Sequence, residues 1–129
     1  MRVRGKGYFT SASATPCTFG LRAGNGMMLA TNILALATSI ANDYMEFDIA
    51  ISVRSTGASG VCFPAGSITY PSTSGGASAI TQRRMQNGAT AASTVTIDTT
   101  SPILLDFFIT PGATTHGFTI MQCSADFIP

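Results

Sequence analysis

The chain has 129 residues, enough for one domain and enough to bury roughly two thirds of the surface that the unfolded form exposes, so neither disulfides nor a metal is needed for folding. Only 10% of the residues are charged and the formal net charge is +1, against about 25% charged and a net charge of magnitude about 2 to 8 in a free soluble domain. That balance excludes a strongly basic nucleic-acid binder and points to a surface covered by neighbouring copies or a larger lattice, the alternative being a neutral monomer dressed in Ser and Thr.

The first expected strand covers residues 3–10. Arg2, Arg4 and Lys6 alternate with Val3 and Gly5, and the period of two places three positive charges on one face. No apolar run of signal-peptide length follows them, so no export signal is expected. Residues 17–22 form a second expected strand, followed by the turn residues Gly24, Asn25 and Gly26. Residues 26–41 are the longest apolar-rich stretch, but Thr31, Asn32, Thr38 and Ser39 interrupt them and they are too short for a membrane span. Ile33, Leu36, Ala37 and Ile40 recur there at helical spacing; the β-branched residues favour two short strands over a helical turn.

Residues 45–54 carry the clearest pattern. Met45, Phe47, Ile49, Ile51 and Val53 alternate with Glu46, Asp48, Ala50, Ser52 and Arg54, which defines a half-buried strand. Residues 55–60 supply turn chemistry, and residues 61–63 open the second arm of a hairpin. Further strands are expected at 67–70, 80–85 and 94–98, with residues 71–78 as a long surface loop. Residues 103–109 look buried on both faces: Ile103, Leu105, Phe107 and Ile109 line one, Leu104 and Phe108 the other. In the last strand, residues 118–128, the apolar set shifts from Phe118 and Ile120 to Cys123, Ala125 and Phe127, which either a bulge or burial of both faces would produce. About eight antiparallel strands in a single all-β domain, residues 1–129, suggest a sandwich or barrel.

Catalytic chemistry has little to work with. His116 is the only histidine; it falls in a Gly, Thr and Pro loop where a solvated side chain is expected, and no G-x-S-x-G pattern accompanies it. Glu46 and Asp48 share one strand face, as carboxylates on many half-exposed strands do, and are not expected to form a glycosidase pair. Cys17, Cys62 and Cys123 are dispersed and odd in number, which suits reduced thiols in a reducing cytosol, and no cluster of Cys and His offers a metal site. No enzyme activity, cofactor, metal, nucleic acid or membrane is expected.

The run Phe47-Asp48-Ile49-Ala50-Ile51-Ser52-Val53-Arg54-Ser55-Thr56-Gly57-Ala58-Ser59-Gly60, with Thr94-Val95-Thr96-Ile97-Asp98-Thr99-Thr100, Leu105-Asp106 and the opening Arg2-Val3-Arg4-Gly5-Lys6-Gly7-Tyr8, resembles a family of tailed-bacteriophage virion proteins with a jelly-roll-like β-sandwich. Members often carry Trp-Gly after the penultimate strand, where this chain has Thr110-Pro111-Gly112 and no tryptophan. They also commonly follow an anchoring segment, whereas here the sandwich is expected to begin at residue 1. The resemblance implies a homotrimer in the virion, assembled in the host cytoplasm, and a capsid decoration or cement protein that binds the head surface and stabilises the shell. Met1, Arg2, Arg4 and Lys6 would face the major capsid protein or another virion component, and Phe118, Ile120, Phe127 and Ile128 would join copies. The alternative is a tail fibre or spike head that recognises host surface glycans through Tyr70, Gln82 and Asn87.

Overall fold

The computed structural model describes residues 1–24, 27–35, 40–71, 80–87 and 93–127. Among them there is no helix, and nine strands follow one another: β1 (Arg2–Ser11), β2 (Cys17–Ala23), β3 (Met27–Leu34), β4 (Ile40–Ser55), β5 (Gly60–Pro71), β6 (Ile80–Gln86), β7 (Val95–Ile97), β8 (Leu105–Thr110) and β9 (Gly117–Asp126). All belong to one antiparallel sheet in the order β8-β2-β3-β6-β5-β4-β1-β9, with β7 on β5. The ladder thins to a single pair, Thr31 and Gln86, between β3 and β6.

Alternation decides which face is the core. Val3 and Phe9 of β1, Met45, Phe47, Ile49 and Ile51 of β4, and Cys62, Ile68 and Tyr70 of β5 are buried on one face, together with Phe19, Leu21, Leu29 and Met85 from β2, β3 and β6. Strands far apart in the hydrogen-bonded order meet through these side chains. The ring of Phe47 on β4 lies 5.4 Å from Phe19 on β2 and 4.4 Å from Phe107 on β8, and Phe19 lies 5.7 Å from Phe118 on β9. Burial of this aromatic cluster curls the sheet into a half-barrel with the apolar face inside.

The β4–β5 hairpin forms as its pattern indicates, in register from Glu46–Thr69 to Val53–Cys62, with a shift before the last pair, Ser55–Val61. Gly57 takes a φ of 116° in the turn, a conformation that glycine adopts without a Cβ penalty. The two expected pieces at 61–63 and 67–70 are one strand that runs through Pro64. On its second side β5 pairs β7 as far as Cys62 and β6 from Ala65 onward. Pro64 thus sits at the changeover, where a proline is tolerated in a sheet.

Residues 27–34 and the start of β4 are extended, in accord with two strands; residues 36–39 lie outside the described residues, as do Asn25, Gly26 and residues 72–79 of the expected surface loop. In β9 a bulge at Met121 accounts for the shifted apolar set: Lys6 pairs Gln122, and Gly7 pairs Ile120. The expectation that residues 103–109 are buried on both faces is corrected. β8 is an edge strand with no fully buried residue: Leu105, Phe107 and Ile109 pack against the core on one face, and Leu104 just before it is 74% exposed.

Candidate functional site

Two surfaces concentrate the chemistry of the chain. The first is a polar trough of about 460 Å³ on the outer face of the half-barrel, crossing five strands. Register builds it in two rows. Gln122, Lys6, Glu46, Thr69 and Gln82 are successive partners across β9, β1, β4, β5 and β6, and Ser124, Arg4, Asp48 and Ser67 form the row beside them on the first four of these strands. Strand alternation sends these side chains outward because their neighbours in sequence fill the core.

Crossed ion pairs brace β1 within this face. Arg2 donates to Asp48 on β4, with its Nε 2.7 Å from Oδ1, while Arg4 reaches Asp126 on β9 at 2.7 Å. Arg2 holds the Asp48 carboxyl below its usual range, chiefly by hydrogen bonding. The Tyr44 hydroxyl donates to Glu46 at 2.8 Å, and that bond raises the phenol's pKa. Gln82 donates its amide to the Ser67 hydroxyl at 3.2 Å. Lys6 has no ion pair among the described residues.

The second surface is an apolar mouth of about 240 Å³ at one end of the half-barrel, where Met1, Ile51, Val53, Ile97, Ile103 and Phe127 converge. The N-terminal ammonium is tied down beside it, donating to the Ile51 carbonyl at 3.0 Å. Phe127 is 86% exposed and Val53 54%, and Leu104 adjoins Ile103. The mouth and the trough share no residue.

The residues expected at the capsid side are therefore divided. Arg2, Arg4 and Lys6 are exposed on the outer face, while Met1 lines the mouth. Of the residues expected between copies, Phe118 packs against the chain's own core, Ile120 and Phe127 are exposed, and Ile128 lies outside the described residues. Tyr70, expected on a glycan-binding loop, is only 1% exposed and points into the core from β5. Asn87 follows β6, where the Ser93 hydroxyl donates to its backbone and side-chain oxygens; Gln82 does reach the trough.

His116 lies in the β8–β9 connection as expected, but not in solvent. It is half-buried 6.1 Å from the Phe9 ring, and both ring nitrogens are shielded with no hydrogen-bond partner among the described residues. Asp48 and Glu46 are engaged by Arg2 and Tyr44. The cysteines are free thiols, Cys17 and Cys62 buried and Cys123 exposed. No group of three or more His, Cys, Asp or Glu among the described residues could hold a metal.

No family model, curated protein or solved structure matches this chain.

The alternation in β1 and β4 already places Arg4, Lys6, Glu46 and Asp48 on an outward face. The contributions of Ser67, Thr69, Gln82, Gln122 and Ser124 depend on cross-strand register, which no local pattern encodes, and the mouth depends on the curl of the whole sheet.

Proposed function

We propose that this chain is a non-enzymatic structural protein of a bacteriophage virion, a capsid decoration protein that assembles as a homotrimer and reinforces the shell. The observation that carries the reading is the apolar mouth with its exposed rim of Val53, Ile103 and Phe127, in a chain with only 10% charged residues. Exposed apolar rims of this kind mark surfaces that a partner covers. Both ends of the sheet add to it: β8 and β9 each have one free edge among the described residues, and neither carries Lys or Pro, residues that commonly block edge-to-edge pairing.

Contacts between copies, and between each copy and the shell, are assigned to the mouth and the free edges, with Met1, Ile120 and Phe127 on the covered side. Arg2 and Arg4 are engaged in ion pairs within the chain. A jelly-roll-like sandwich is the finer fold proposed. It is supported by the single residue pair that joins the β8-β2-β3 section to the rest, and by the aromatic rings packed between the two sections. The virion placement draws on the resemblance of residues 47–60, 94–100 and 2–8 to phage virion proteins.

Antibody labelling of intact particles from the host tests this reading. Gold scattered over the heads is the expected result, and particles that carry no gold at all contradict it.

A further inference from the structure

The polar trough on the outer face goes beyond an assembly role. Its two cations, Arg4 and Lys6, face two carboxylates, Glu46 and Asp48, so a polyanion would meet as much repulsion as attraction, and an apolar ligand would have to strip water from every wall. Apart from Gly5 and Phe47, the remaining lining consists of hydroxyls and amides, which both donate and accept hydrogen bonds. Tyr44 stands at one end, 44% exposed, with Tyr8 equally exposed as its direct partner across the β1–β4 ladder. An aromatic ring with a polar tip, next to mixed donors and acceptors, matches a ligand that presents a C–H face and a rim of hydroxyls.

Several of these groups are unengaged. Arg2 occupies Asp48 and Tyr44 occupies one oxygen of Glu46, but Lys6, Thr69, Gln122 and Ser124 have no side-chain hydrogen bond among the described residues. They sit on a rigid floor of paired strands, and the volume of about 460 Å³ falls within the roughly 300–1,000 Å³ of small-molecule sites. We propose that the trough is a saccharide-binding site for a neutral oligosaccharide, one ring seated against Tyr44 and the hydroxyls held by Lys6, Glu46, Gln82 and Gln122.

The test uses the full chain in saturation-transfer NMR and calorimetry against neutral trisaccharides of glucose, mannose, galactose and N-acetylglucosamine, with heparin as the anionic comparison. At least one neutral trisaccharide is expected to bind. Tyr44→Ala and Gln122→Ala should each weaken it about tenfold, the loss that follows from one deleted contact of ordinary strength. Ser52→Ala, on the outer face beyond the trough, should leave it unchanged. Circular dichroism of each variant separates lost binding from lost folding. Binding of no neutral trisaccharide, or of heparin alone with strong salt dependence, overturns the assignment, as does binding that neither trough variant alters. These outcomes are independent of oligomeric state and particle labelling, so the site and the assembly role stand or fall separately.

Discussion

The ring of Phe47 lies on Gly5, its direct partner across the β1–β4 ladder: a Cβ at Gly5 would stand 2.3 Å from the Phe47 Cζ. The same ring touches Phe19 and Phe107, so the bare backbone of β1 is what lets β4 deliver an aromatic to the centre of the curl. Gly5→Ala is expected to lower stability by about 1–3 kcal/mol, the cost of forcing a packed ring aside. Phe47→Ala, which empties the centre of the cluster, should lose about 3–5 kcal/mol. Urea unfolding of these variants, of Phe47→Leu and of Gly5→Ala combined with Phe47→Leu measures the coupling; the double variant should lose less than Gly5→Ala and Phe47→Leu added together.

The bulge in β9 rests on a second close approach. A Cβ at Gly7 would meet the Thr119 carbonyl oxygen at 1.9 Å, where backbone and not a side chain must give way. Gly7→Ala should therefore open the β1–β9 pairing locally, and amide exchange of residues 118–122 should accelerate relative to β4 and β5.

Thiol chemistry separates the three cysteines. Burial pushes Cys17 up to about 11 and also raises Cys62 and Cys123, so accessibility makes the difference: Cys17 and Cys62 are buried, while Cys123 is exposed. Since the thiolate is the reactive form, titration with an aromatic disulfide at pH 8 should modify one thiol in the native protein and three after denaturation. Cys123→Ser should abolish the native reaction.

The outer ion pairs set the acid limit of stability. The Asp48 carboxyl is depressed by Arg2, and Asp98 by the hydroxyl and amide of Thr100. A depressed carboxyl makes the unfolded state the stronger proton binder. The stabilisation is therefore present above the unfolded value of about 3.9 and is lost as pH falls through the lower folded value. The urea midpoint should fall below about pH 4. Asp48→Asn should flatten part of that fall. The effect should be small and shrink in salt, because both partners are partly exposed.

Much of the inner architecture is legible along the chain because strand alternation is a local signal. Residues 45–54 reveal the inward set Met45, Phe47, Ile49 and Ile51, and the phase change in residues 118–128 marks the bulge at Met121. Pro64 misleads, since a proline reads as a break unless two different neighbours are known to meet beside it. Tyr70 misleads in the opposite sense: it has the polar tip of a surface residue, yet register places it opposite Thr81 on the inner face beside Ile68. His116 reads as a solvated loop residue because only the curl of the sheet brings Phe9 against it. The trough is the least legible feature, being assembled from five strands whose mutual register is a property of the sheet.

His116 offers a direct test of that packing. Its ring nitrogens are shielded beside Phe9 and unpartnered among the described residues, and an unsatisfied polar group is costly relative to an apolar one of similar shape. His116→Phe should leave the thermal midpoint equal to or above that of the unmodified chain, as scanning calorimetry would record, whereas a lowered midpoint would mean that the imidazole has a stabilising role.

Native mass spectrometry of the full chain and of Val53→Lys with Phe127→Lys tests most directly whether the mouth meets other subunits. Both side chains are exposed, so the variant should fold normally. The unmodified chain should be a trimer at micromolar concentration and the folded variant a monomer. A monomeric unmodified chain, or an oligomer that survives both lysines, would contradict the assignment.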